Sequence, residues 1–244
     1  MDAHADIAAI GLVPDVRIYL DAEADKLTNA WFTTHRVAIK GLSDERQDTY
    51  RQIKEMSPDP QDIDLAKPSA WIENTAIRDP DGTEHQLPRF EHHMLSDTDG
   101  TFPARLNDWE TDVLAIEAAR PGFKAWYRNP ARSTQDSLAI AYQDGDRYRT
   151  VRPDFIFFGE AGNGEVTAVI VDPHSHHLAD ALPKLRGLAA YAAEHADHYQ
   201  RIESVTKIDG MLRVLDLTAS DVRAAIATAD SAKALYEGNT ATDY

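Results

Sequence analysis

The chain has 244 residues, with 41 acidic side chains against 25 Lys and Arg, a formal charge of −16, and no cysteine. Its apolar share of 43 % and charged share of 27 % are those of a soluble globular protein and exclude collagen-like, mucin-like and wholly disordered chains. The missing cysteines exclude a disulfide framework, thiolate metal sites and a cysteine nucleophile, and the acidic balance opposes indiscriminate adhesion to phosphate backbones.

In chain order, apolar periodicity predicts helices over residues 22–39 and 43–56, the second opened by Ser43 as N-cap. Residues 57–100 are dense in turn formers, with Ser57-Pro58-Asp59-Pro60 and Asp79-Pro80-Asp81-Gly82 among them, and read as loops and short strands. Asn107 followed by Glu110 has the spacing of a capping box, and Trp109, Val113 and Ile116 give the helix behind it an apolar face that ends near Pro121-Gly122. Four strands are expected next, over 124–128, 137–142, 148–158 and 166–172. A helix follows, marked by Leu178, Leu182, Leu185, Ala189 and Ala192, with Asp180 as N-cap and Pro183 tolerated in its first turn. Strands at 199–205 and 211–217 flank Asp209-Gly210, and Ser220 is expected to cap a last helix reaching about Ala227. The fold class is α/β, a mixed central sheet flanked by helices (107–244), preceded by an accessory region (1–106). No run is apolar enough to span a membrane, and the N-terminal MDAHADIAAIGLVPD has no cationic leader region, so a cytoplasmic protein is expected.

The chemistry concentrates in Val151 to His174. If Asn163-Gly164 reverses a hairpin, Asp154 falls opposite Asp172 at its open end, and His174, two positions on, leaves the same face. Each aspartate alone is an ordinary turn or strand-end residue, but two carboxylates at the mouth of the apolar runs FIFF and VIV suit a hard divalent ion such as Mg²⁺ or Mn²⁺. Between Arg120 and Arg152 the charge turns locally basic; Arg128, Arg132, Arg149 and Arg152, with Trp126 to stack a base and Lys184 on the next helix, form a candidate nucleic-acid path. Solvated strand edges explain the same cations equally well. His174, His176 and His177 together leave a zinc or manganese hydrolase open. There is no phosphate loop of a helicase motor, no GxSxG elbow and no HExxH helix.

Pro153-Asp154, then Asp172-x-His174 before an amphipathic helix, resembles the PD-(D/E)xK nuclease signature, with histidine where that signature has lysine. With Trp109-Glu110, the run Ala125 to Pro130 and the stretch Ile170 to Tyr191, residues 107–227 resemble the C-terminal nuclease portion of type III restriction-type helicase subunits. The resemblance implies a restriction-endonuclease-like core and DNA hydrolysis in defence against phage, beside a helicase motor in cis or in trans. It does not distinguish DNA from RNA and leaves homo-oligomerisation open. It also implies Asp154 and Asp172 as metal ligands, Glu110 as the acidic residue of the first helix with Glu117 as its rival, and His174 in the lysine's place. A neutral imidazole offsets negative charge poorly, so a catalytically inactive nucleic-acid-binding module is the alternative.

Overall fold

The computed structural model describes residues 14–55, 76–131, 136–145, 147–162 and 164–244. The chain divides into two compact units, Met1–Pro58 and Asp59–Tyr244. In the first, helix α1 (Pro14–Lys40) is followed by α2 (Asp44–Glu55), and the turn between them places Ser43 just ahead of α2. Helix α1 begins earlier than periodicity suggested, because Pro14 fits a first helical turn, where no N–H bond is lost. Trp31 and Phe32 on α1 pack against Tyr50 on α2.

The second unit holds two small hairpins, β1 (Ala76–Arg78) with β2 (Glu84–Gln86) and β3 (Arg89–Glu91) with β4 (Thr101–Pro103). Helix α3 (Asp108–Ala118) follows, opened by the expected capping box: Asn107 Oδ1 accepts from the Glu110 N–H, and Glu110 Oε2 accepts from the Asn107 N–H. Then come β5 (Phe123–Arg128), β6 (Ile140–Asp144), β7 (Arg147–Val151), β8 (Phe155–Glu160) and β9 (Val166–Pro173). After helix α4 (Ala181–His195) and a 3₁₀ turn lie β10 (Tyr199–Ile208), β11 (Met211–Asp216), α5 (Ser220–Thr228), α6 (Ala232–Glu237) and β12 (Thr242–Asp243). Six strands form one mixed sheet in the order β12-β11-β10-β9-β8-β5. Only β9 and β10 are parallel among its pairs, and α4 makes the crossover that parallel neighbours require. Asp209 and Gly210 both take positive φ, 49° and 85°, the backbone of a two-residue hairpin turn between β10 and β11.

Alternation along the strands fills both faces. Ile170, Ile202 and Leu215 meet α4, α5 and α6 on one side, together with Ile140, Tyr142 and Val151 of the β6–β7 hairpin. Phe155, Phe157, Val169, Val171 and Val205 pack on Val113 and Leu114 of α3 on the other. Leu95, Phe102 and Ala104 join this second cluster, so residues that the sequence grouped with the accessory region share the core of the sheet.

Three expectations are corrected. The strand expected over 148–158 is two, β7 and β8, in different sheets; Pro153 lacks the N–H that a continuous ladder needs. Asp180 stands at the N-cap of α4 but makes no side-chain cap bond, because its carboxylate binds Lys184 Nζ at 3.0 Å. Ser220 is the first helical residue of α5, and the cap position belongs to Ala219. Residues 57–75, Arg132 and Asn163 lie outside the described residues.

Candidate functional site

The site grows from the ladder between β8 and β9. Phe155 pairs with Val171 and Ile156 with Ile170, so the next step outward sets Asp154 opposite Asp172. The Asp154 N–H donates to Asp172 Oδ1 at 3.3 Å. His174 extends the strand by one bond, its N–H donating to the Val205 carbonyl at 2.8 Å. By strand alternation its side chain shares a face with Asp172.

Asn129, buried behind β5, locks Asp154 in place. Its Nδ2 donates to the carbonyls of Leu138 and Pro153, its Oδ1 accepts from the Leu138 N–H, and its own N–H donates to the Asp154 carbonyl. Below Asp172, Ser204 Oγ reaches the Asp172 carbonyl and is itself bonded by the Tyr236 hydroxyl at 2.8 Å. Asn129 was not singled out from sequence. Its signal is the strand end Arg128-Asn129-Pro130, where an amide must satisfy backbone that proline cannot.

Electrostatics follow from this packing. Asp172 is 4 % exposed, and burial together with the neighbouring Asp154 charge pushes its carboxyl up to about 7, against the opposing pull of the Asp154 N–H, Lys184 and Arg128. Burial raises Asp154 to about 6; Arg128 opposes the rise, Glu110 adds to it and Lys184 opposes it. Burial lowers His174 to about 4, helped by Lys184 and opposed by Asp180, so its imidazole is neutral at pH 7. Its Nε2 is buried without a hydrogen-bond partner.

Arg128 supplies the nearest fixed cation. Its Nη2 lies 2.8 Å from Glu110 Oε1 and 3.0 Å from Asp154 Oδ1, and its guanidinium rests 4.9 Å over the Phe155 ring. Both oxygens of Glu110 are therefore engaged, one by Arg128 and one by the helix cap. The rival Glu117 points into a different set: it binds Arg201 at 2.6 Å, Arg120 at 2.6 Å and the Tyr244 hydroxyl at 2.7 Å.

The proposed nucleic-acid path disperses. Trp126 is a correction: its ring is fully buried against Phe90, His93 and Phe155, and its indole N–H donates to the Glu91 carbonyl, so it has no face left for a base. Arg149 pairs with Asp144 at 2.8 Å and Lys124 with Glu160 at 2.6 Å. Arg152 is half-buried beside Pro153. Lys184, in the first turn of α4, bonds Asp180, and its charge reaches Asp154, Asp172 and His174, which ties it to the carboxylate pair rather than to a peripheral strip. His176 is buried, its Nδ1 3.1 Å from Thr206 Oγ1, with the His177 ring against it at 3.7 Å.

Among the described residues, no three His, Cys, Asp or Glu side chains gather closely enough to hold a metal ion by themselves. Two adjacent carboxylates that burial forces toward the protonated state nonetheless form a donor set short of positive charge, and His174 Nε2, two positions along the chain from Asp172, is buried without a partner. That set fits an ion such as Mg²⁺ or Mn²⁺, which is held by one or two carboxylates and keeps several waters.

The model of the YagJ family matches residues 91–244. Protein YagJ of Escherichia coli (strain K12) is 51 % identical over 244 residues, covering 100 % of both chains. No solved structure matches the chain.

Proposed function

Because the chain belongs to the YagJ family, a name that carries no chemistry, we propose from the site itself that the sheet-bearing unit is a divalent-metal-dependent phosphodiesterase with a restriction-endonuclease-like core. The observation that carries this reading is the meeting of Asp154, one residue ahead of β8, with Asp172 near the end of β9, joined by the bond from the Asp154 N–H to Asp172 Oδ1, with His174 two positions further along. The order of helix α3, antiparallel strands β5, β8 and β9, crossover α4 and parallel β10 supports such a core. In this reading the substrate is DNA, delivered by a helicase motor in cis or in trans as the resemblance implies.

Asp154 and Asp172 would hold the ion, with His174 Nε2 beside it, and the ion would supply an activated water and an electrophile for the phosphate. The protein's own parts divide the remaining work. His174, neutral at pH 7, can accept a proton or orient a water, but carries no charge to offset the phosphorane. Arg128 and Lys184 are the cations in reach of the carboxylates and would make up that deficit. Glu110 anchors Arg128 instead of binding metal.

One observation favours the second reading, a nuclease fold that binds without cutting. Arg128 already bridges Glu110 and Asp154, as an internal counter-ion would in a site that has lost its metal. The two readings separate by experiment. Linear and supercoiled DNA are incubated with Mg²⁺ or Mn²⁺, and Mn²⁺ binding is followed in parallel by electron paramagnetic resonance. Cleavage that disappears in folded Asp154→Asn and Asp172→Asn supports the enzyme; DNA binding with neither cleavage nor Mn²⁺ uptake supports the binding module.

A further inference from the structure

Helix α1 carries a stripe that stays exposed among the described residues of its unit. Leu20, Ala24, Leu27, Trp31, Thr34 and Ala38 are all exposed, and their spacing alternates four, three, four, three, four, which keeps them on one face of a helix. Leu27 is 69 % exposed, and Tyr19 and Val37 beside the stripe are 65 % and 81 % exposed. Thr34 behaves as an apolar member, because its hydroxyl donates back to the Ala30 carbonyl at 2.9 Å and leaves its methyl outward. Phe32, a quarter-turn away, is half-buried and meets Tyr50 of α2, and Trp31 touches the same ring while staying 43 % exposed, so α2 borders the stripe at Trp31 without burying it.

The charges along α1 say what covers it. The segment 14–25 holds Asp15, Asp21, Glu23 and Asp25 against Arg17, net −3; the segment 26–40 holds Lys26, Arg36 and Lys40 with no acid, net +3. A parallel copy would set like charge on like, whereas an antiparallel copy sets each half on its opposite. The apolar stripe is self-complementary in the same sense. Turned about Asn29, it places Leu20 on the partner's Ala38, Ala24 on the partner's Thr34, and Leu27 on the partner's Trp31, a large residue against a smaller one at the ends and the largest pair next to the axis.

We propose that this face is a homodimer interface, in which α1 packs antiparallel against α1 of a second copy about a two-fold axis near Asn29, the two helical hairpins together forming a four-helix bundle. A two-fold contact is isologous, so every residue of the stripe acts twice. The interface is independent of the phosphodiesterase reading.

Sedimentation velocity and light scattering on the full chain provide the test. The expected mass is twice 27.1 kDa. Leu27→Asp is expected to raise the dimer dissociation constant by about 100-fold or more, since it removes apolar burial and inserts a charge at both symmetry-related places. Far-UV circular dichroism reports whether the variant keeps its helices. Glu23→Arg, at a half-buried position, and Arg36→Glu, at an exposed one, are each expected to weaken the dimer about tenfold, and the double variant to return to within about threefold of wild type. A monomeric wild type, a Leu27→Asp variant that stays dimeric, or a double variant weaker than either single one overturns the proposal.

Discussion

At the scale of single residues, the informative pair is Asp154 and Asp172, because burial raises both carboxyls and Arg128 and Lys184 oppose that rise only in part. Both carboxyls titrate higher in the folded chain than their ordinary 3.8, at about 6 and about 7. A carboxyl whose folded value is raised lends its stability below the unfolded pKa and loses it as pH rises through the folded one. The metal-free protein should therefore lose stability between about pH 4 and pH 7, the interval the raised values span. Asp172→Asn, in the presence of a chelator, should raise the thermal midpoint at pH 8 by on the order of 5 °C and leave it unchanged at pH 4. Equal midpoints for the variant and wild type at pH 8 would mean that the pair is not held charged and buried. Arg128 tests the same balance from the other side. Arg128→Gln leaves Glu110 and Asp154 facing each other without their cation, a loss of about 2–3 kcal/mol once partial exposure is allowed for. Adding Glu110→Gln should recover part of that loss in a double-mutant cycle read by urea denaturation.

At the scale of elements, the pairing of β8 with β9 was legible because FIFF and VIV are short apolar runs on either side of a turn, and one hairpin register then brings Asp154 opposite Asp172. The capping box of α3 was equally legible, since it depends on two residues three apart. What it implied for Glu110 was not, because a carboxylate used up by a cap and by Arg128 is known only when β5 is placed against α3. Trp126 failed for the same reason: an aromatic among arginines reads as a stacking platform until the β3–β4 hairpin covers it. The β6–β7 hairpin shows a long-range fit that no local pattern announces. It lies on α4 at Gly187, where an added Cβ would come within 2.2 Å of Tyr142 Cβ. Gly187→Ala should thus pry the hairpin from the helix, cost about 3 kcal/mol, and speed amide hydrogen exchange over residues 140–151 before the rest of the sheet. Unchanged exchange there would show that the two elements do not meet so closely.

At the scale of the whole molecule, the −16 charge and the pairing of the basic strip bear together on how a nucleic acid would be held. Counter-ion release makes DNA affinity fall steeply with salt in proportion to the phosphates neutralised, about 0.9 of a log unit per contact. Here Arg120, Lys124, Arg128 and Arg149 each already face a carboxylate, so each would have to leave an internal partner before it met a phosphate. The long-range field of the acidic chain repels the duplex, and added salt screens that repulsion as well as any local attraction. The two effects oppose each other. A plot of log affinity against log salt, measured by fluorescence anisotropy in Mn²⁺, should therefore have a slope shallower than about −3, in contrast to proteins that grip DNA by bare cations. Removing Arg149 should change that slope little, because its guanidinium is matched by Asp144, whereas neutralising Asp154 and Asp172 should strengthen metal-free binding by lifting the nearest negative charge from the phosphate path. A steep slope would instead require a basic surface made by a second chain or by residues outside the described segments, and would move the seat of recognition away from the carboxylate pair.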